Sequence, residues 1–229
     1  MISGFVITKI GDAISEGMAS ECIASGKTHG VDIKIFPGVY TDIDKKLKEE
    51  NLFLNPEALK KIQTKGVIGC FLSHYSLWKK CVEENNPIAV FEYDAIVIND
   101  VDVGILNQFD DYLNLDFSRH LYLKDIPLYV SKLISVNSVK TVKLEEDKKT
   151  LNKNSYKYMN RNHIKGAYSY ILKPSGAKKL IEGVKRDGVV PADVAINLRY
   201  LNLYYTDNSV ARLNPIMLQD LAGLSHTKN

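Results

Sequence analysis

The sequence predicts an α/β domain, a mainly parallel sheet with helices on both faces, from three observations. Short apolar runs alternate with stretches of helical period along most of the chain. One run, Ile88-Ala89-Val90-Phe91, follows a helix and ends in the acids Glu92 and Asp94. Further on, the strand-like segment Gly166 to Leu172 leads into a helix opened by Ser175. Ligands of open α/β sheets lie just beyond the carboxyl ends of the strands, so the two acids mark a candidate metal and diphosphate site.

The elements follow in order. Residues 3 to 10 read as a buried strand, and Ile14, Met18 and Cys22 as the apolar side of the next helix. Val31 to Phe36 alternates as a second strand, closed by the turn signal Pro37-Gly38. Thr41 to Thr64 is charged and reads as one or two exposed helices or a loop. Phe71, Tyr75, Trp78 and Val82 recur at helical spacing, and Asn85-Asn86-Pro87 stops that helix because proline lacks the N–H and restricts its predecessor. In the strand that follows, alternation puts Glu92 and Asp94 on one side and Tyr93 on the other. Asp100 to Asn114 has no clear period, and a strand is expected around His120 to Leu123. Residues 140–162, rich in lysine and asparagine, read as a mobile excursion of the sort that covers active sites. The helix from Ser175 should run to about Lys185, another should run from Asp193 to about Leu201, and residues 206–229 read as a tail.

A chain of 229 residues suits one sizeable domain, spanning 1–229. Its 45% hydrophobic and 25% charged residues are ordinary for a soluble globular protein. No apolar run reaches the roughly 18 to 20 residues of a membrane span, and the start is too short and strand-like for a signal peptide. The expected location is therefore cytoplasmic. Cys22, Cys70 and Cys81 form no even disulfide set and read as buried thiols. Net charge is +3, yet residues 140–189 carry thirteen Lys or Arg against five Asp or Glu, a bias that suits either a solvated surface or an anionic partner. Gly26-Lys27-Thr28 has the ending of a phosphate-binding loop, but Glu21 stands where that motif requires glycine.

Three motifs carry a family resemblance. Gly66, Gly69, Cys70, Ser73, His74 and Trp78 form a Gly-x-x-Gly-Cys-x-x-Ser-His-x-x-x-Trp helix, followed by the acid-ended strand. Gly166 to Leu180 and Pro191-Ala192-Asp193 supply the others. In this order and spacing they resemble glycosyltransferase family 25, the lipopolysaccharide glycosyltransferases related to collagen galactosyltransferase domains. The resemblance covers about residues 3 to 205. It implies a GT-A-like, nucleotide-binding domain and an inverting transfer of a hexose, galactose foremost, from a UDP-sugar to a lipooligosaccharide hydroxyl. Such an acceptor would bring the protein to the inner membrane surface. The chain departs from the pattern at Glu92-Tyr93-Asp94, where the family has Glu-Asp-Asp, and in lacking an arginine after the first strand.

The resemblance implies that Asp94 ligates Mn²⁺ or Mg²⁺, with Glu92 on ribose or on the metal, and His226 as a further metal ligand. Oxygen donors suit those ions. Ser73 and His74 read either as donor-binding groups or as packed residues of the helix, and Cys70 and Trp78 as core. Asp193 reads either as the base that takes the acceptor proton or as an acid stabilising a helix start. Two other functions fit the same residues. One is a transferase acting on hydroxymethylated bases of DNA, consistent with the basic stretch. The other is a silent sugar-nucleotide or carbohydrate-binding module, consistent with Tyr93.

Overall fold

The computed structural model describes residues 1–56, 58, 64–116, 141–143, 166–206 and 208–215, the backbone alone for 141–143. Its centre is a seven-stranded sheet in the order β2-β1-β3-β7-β5-β8-β6. The strands are β1 (Ile2–Thr8), β2 (Val31–Pro37), β3 (Ile88–Glu92), β5 (Tyr112–Asn114), β6 (Thr141–Lys143), β7 (Ser169–Leu172) and β8 (Leu203–Thr206). The β1/β2, β1/β3 and β5/β8 pairs are parallel, and β7 runs antiparallel to both its neighbours. Five strands thus share one direction, with β7 and β6 reversed. The expectation of an α/β domain with a mainly parallel sheet holds. A small second sheet pairs β4 (Ala95–Val97) with β9 (Ala211–Leu213). Residues 206–229 are therefore not simply a tail: their first part supplies a strand.

Alternation along β3 divides the core. Ile88 and Val90 face a cluster with Phe71, Trp78, Tyr170 and Leu180. Ala89 and Phe91 face one with Val6, Cys22, Leu113 and Val210. Helix α1 (Ala13–Thr28) covers the second face; α2 (Ile43–Glu49), α3 (Lys65–Glu84), α4 (Pro174–Asp187) and α5 (Ala192–Ala195) cover the first. The helix α3 is the main filler of the first cluster. Phe71 and Trp78 are fully buried, and removing a Phe side chain from water contributes roughly 1.5 to 3 kcal/mol.

Several expectations change in detail. Ile14 is 70% exposed, because the buried stripe of α1 runs through Ser15, Met18, Ala19, Cys22 and Gly26. At the end of α3, Cys81 rather than Val82 faces the core. That helix stops at Asn85, whose φ of 50° is left-handed. Ser175 does not cap α4: Lys173 is the capping position, Pro174 opens the helix, and the Ser175 hydroxyl lies 3.1 Å from Asp111 Oδ1. The helix bearing Asp193 is one turn, Ala192–Ala195, and does not reach Leu201. Asp100 to Asn114 holds a 3₁₀ turn at Val103–Asn107 and then β5. Within the expected excursion, Thr141–Lys143 pairs with β8; the rest of 140–162, the region of His120 to Leu123, and His226 lie outside the described residues.

Candidate active site

The loops after β1, β2 and β3 and the first half of α3 meet at the carboxyl edge of the parallel strands. A helix that returns the chain to a parallel strand brings its own start to that edge, which is how Cys70, Ser73 and His74 come beside the end of β3. The acid Glu92 is the last residue of β3 and stands opposite Ile7 of β1. It lies on the α3 side of the sheet, its Oε1 3.2 Å from His74 Nε2. Tyr93 packs against the opposite core, as alternation requires. The strand ends there, and Asp94 sits in the turn to β4, where its carbonyl accepts the N–H of Asn214.

His74 is fully buried and gripped from both sides. Its Nδ1 lies 2.9 Å from the hydroxyl of Tyr170, which also accepts the indole N–H of Trp78 at 3.0 Å. Indole can only donate. A carboxylate only accepts, so His74 Nε2–H donates to Glu92, and in that tautomer of the neutral ring Nδ1 accepts the proton of the Tyr170 hydroxyl. Three buried residues from α3 and β7 hold one carboxylate oxygen in place, while the Glu92 side chain keeps 30% of its surface exposed.

Ser73 is spent inside the protein: its hydroxyl donates to the carbonyl of Gly69 at 2.8 Å and accepts the N–H of Val39 at 2.8 Å. Its place in the motif is thus explained by the loop after β2. That loop presents Tyr40, whose ring folds over Gly38 so closely that a β-carbon there would meet it at 2.5 Å. Burial pushes the Tyr40 phenol up to about 12, helped by Tyr93, Cys70, Glu92 and Asp12. Tyr40 was missed by the sequence reading; its signal was an aromatic residue just after a Pro-Gly turn at a strand end.

Cys70 lies where the acids converge. Its thiol is pushed above the ordinary range by burial first, then by the charges of Glu92, Asp193 and Asp94. The charge of Asp193 also reaches Tyr112, and that of Asp94 reaches Cys22. Asp193, remote in sequence, thus bears on the same thiol as Glu92 and Asp94. Tyr93 is likewise raised, by burial and then by Asp94 and Glu92. The result is a concentration of negative potential at one edge of the sheet. A tighter group lies within it, since Cys70, His74 and Glu92 each offer a ligand atom within 4.8 Å of the others.

An α/β domain with carboxylates and a buried histidine gathered at the carboxyl edge of its parallel strands has the form of a ligand-binding enzyme domain. The chain belongs to glycosyltransferase family 25 (LPS biosynthesis protein), whose family model matches residues 17–196. It is 32% identical over 169 residues to the lipooligosaccharide biosynthesis protein lex-1 of Haemophilus influenzae, covering 70% of this chain and 51% of that protein. It is 29% identical over 185 residues to a glycosyltransferase 25 family member of Aedes aegypti, covering 76% of this chain and 27% of that protein. The chain thus spans about half or less of these relatives' length. Among solved structures it superposes loosely on the galactosyltransferase LgtC bound to donor and acceptor sugar analogs, with a TM-score of 0.38, 10% identity and coverage of 90% of this chain and 73% of that one. No helix among the described residues is long and apolar enough to cross a membrane.

Proposed function

We propose that this chain transfers a hexose, galactose from UDP-galactose, to a hydroxyl of a lipooligosaccharide sugar with inversion at the anomeric carbon. The observation that carries this reading is Glu92 at the carboxyl end of β3, held 3.2 Å from His74 Nε2 with its side chain still 30% exposed. Family membership supplies the reaction class, and the name of the Haemophilus relative suggests the acceptor.

In this reading His74 holds Glu92 toward the nucleotide, and Asp94 faces the diphosphate. The oxygen donors of Asp94 and Glu92 fit Mn²⁺ or Mg²⁺, because both are carboxylates, one at the end of β3 and the other two residues on in the turn to β4. A bound ion would supply neutralisation of charge developing on the departing diphosphate. Asp193 accepts the proton of the attacking hydroxyl. Its rival role, stabilising a helix start, is weakened by the length of α5: four residues, Ala192–Ala195, align few peptide dipoles. Ser73 acts indirectly, by fixing the loop that bears Tyr40.

The test is a thermal-shift panel of nucleotide sugars with and without Mn²⁺, followed by transfer assays on lipooligosaccharide and on hydroxymethylated DNA at two salt concentrations. UDP-hexose should raise the melting temperature only with the ion, and Asp94→Asn should abolish that shift. Transfer confined to DNA, with a steep log-linear loss of affinity in salt, would overturn the acceptor. Binding without any transfer would leave a silent module.

A further inference from the structure

Cys70 and His74 are four residues apart on α3, a spacing that sets two side chains on one helix face. Glu92 reaches them from β3, so nitrogen, sulfur and oxygen donors from two rigid elements lie within 4.8 Å of one another. In a tetrahedral zinc site, bond lengths near 2.0 to 2.3 Å put ligand atoms roughly 3.3 to 3.7 Å apart. The pair His74 Nε2 and Glu92 Oε1, at 3.2 Å, is already close to that, and the remaining adjustment falls to the thiol, about an ångström of side-chain rotation.

We propose that Cys70, His74 and Glu92 form a binding site for a borderline-soft divalent cation, Zn²⁺, which excludes a hard ion from Glu92. The binding of Zn²⁺ stands on the three donors alone; the exclusion rests on the function proposed above, in which Glu92 also serves the hard ion. Thiolate and imidazole favour zinc over Mn²⁺ and Mg²⁺. Tyr170 supplies the outer support of such a site, 2.9 Å from His74 Nδ1 and stacked on its ring at 5.8 Å between centroids. Glu92 and Cys70 are both partly exposed, leaving a solvent side for a fourth ligand.

Protons balance as follows. Zinc displaces the thiol proton of Cys70 to solvent. His74 gives up its Nε2 proton and takes one on Nδ1, where it donates to Tyr170 and stays neutral, so one proton leaves per ion bound. The Tyr170 oxygen, with two lone pairs, then accepts from both Trp78 and His74. Its own proton loses His74 as acceptor, a cost the metal bonds must exceed. The acids that push the thiol up also draw the cation in.

The chelator-treated protein would be titrated with Zn²⁺ and, as a spectroscopic probe, with Co²⁺. The wild type should show a near-ultraviolet thiolate-to-cobalt charge-transfer band and a Zn²⁺-dependent rise in melting temperature. Cys70→Ser should lose the band and weaken Zn²⁺ binding by at least about 100-fold, since even outer-sphere changes cost 10- to 100-fold. Asp94→Asn should keep both. Metal-free melting of each variant, and of Cys70→Ala beside the serine variant, separates loss of the site from loss of the fold. A band that is absent in the wild type, or that persists in Cys70→Ser, overturns the site. Zn²⁺ that binds but leaves Mn²⁺ affinity unchanged, read by the resonance of free Mn²⁺, overturns the exclusion and with it the shared role of Glu92, while the three-donor site stands.

Discussion

The carbonyl oxygen of Val39 occupies the space in which a side chain at Gly69 would begin: a β-carbon built there would lie 2.3 Å from it. One helical turn on, Ser73 accepts the N–H of the same Val39. Gly69 and Ser73 therefore meet the same residue from α3, one at its carbonyl and the other at its N–H, and fix the loop that carries Tyr40 to the site. Gly69→Ala should push α3 from that loop and cost about 1 to 3 kcal/mol, because the obstacle is backbone that cannot rotate away. Ser73→Ala should cost a similar amount by stranding a buried N–H, about 1 to 3 kcal/mol. Urea unfolding of both variants checks this, and a Gly69→Ala protein as stable as the wild type would contradict the packing.

The chain Trp78, Tyr170, His74 and Glu92 gives a second expectation. Tyr170→Phe removes the acceptor of the Trp78 indole and the partner of His74 Nδ1 while keeping the ring in place. Leaving buried polar groups unmade should destabilise the protein by about 1 to 3 kcal/mol. Replacing Trp78 by Phe as well removes one stranded group, so the double variant should lose less than the sum of the singles. Strict additivity in urea titrations would show that the hydrogen bond contributes nothing.

How much of this was legible in the sequence depends on how local the cause is. Strand β3 opens on a continuous apolar run, β1 contains Phe5-Val6-Ile7, and α3 carries three aromatic residues, Phe71, Tyr75 and Trp78, at helical spacing, so burial alone announces them. Of the apolar side expected for α1, Met18 and Cys22 are buried and Ile14 is not, because the rest of the buried stripe consists of the small residues Ser15, Ala19 and Gly26. The end of α5 at Ala195 and the pairing of β9 with β4 depend on distant partners, which local pattern does not contain. The same holds at the site. The side of Glu92 and of Tyr93 could be read from alternation, but Asp94 lies past the end of the strand in a turn, where alternation no longer applies, and the grip of Ser73 on Val39 and the placing of Tyr40 join elements 34 residues apart or come from a loop. The approach of Asp193 came from the family pattern, not from any spacing.

Buried thiols predict an alkaline weakness. Burial raises Cys22, and with it the charge of Asp94, from 9.0 to about 12, and Cys81 rises to about 12 as well, chiefly by burial. Below pH 9 the folded and unfolded chains both keep these protons, so the contribution is intact. Between about 9 and 12 the unfolded chain releases them and the folded one does not. Each thiol then lowers the unfolding free energy by about 1.4 kcal/mol per pH unit. Cys22→Ala should be less stable at neutral pH through lost packing, yet show a shallower fall above pH 9 in urea titrations. An unchanged slope would mean that the thiol titrates normally in the fold.

The role of Asp193 is decided by separating binding from chemistry. It stands in the single turn of α5, and its charge reaches Cys70 and Tyr112 across the site. If it takes the acceptor's proton, Asp193→Asn should keep affinity for the nucleotide sugar and Mn²⁺ near wild type and lower turnover by roughly 100- to 10,000-fold, the scale of general acid and base catalysis. If it only favours a helix start, turnover should hold and stability should fall by about 1 kcal/mol or less. Equilibrium binding of the donor, single-turnover transfer and unfolding on the same protein sample distinguish the two. Loss of donor affinity in parallel with turnover would assign Asp193 to the donor side of the site and leave the proton acceptor to be sought elsewhere.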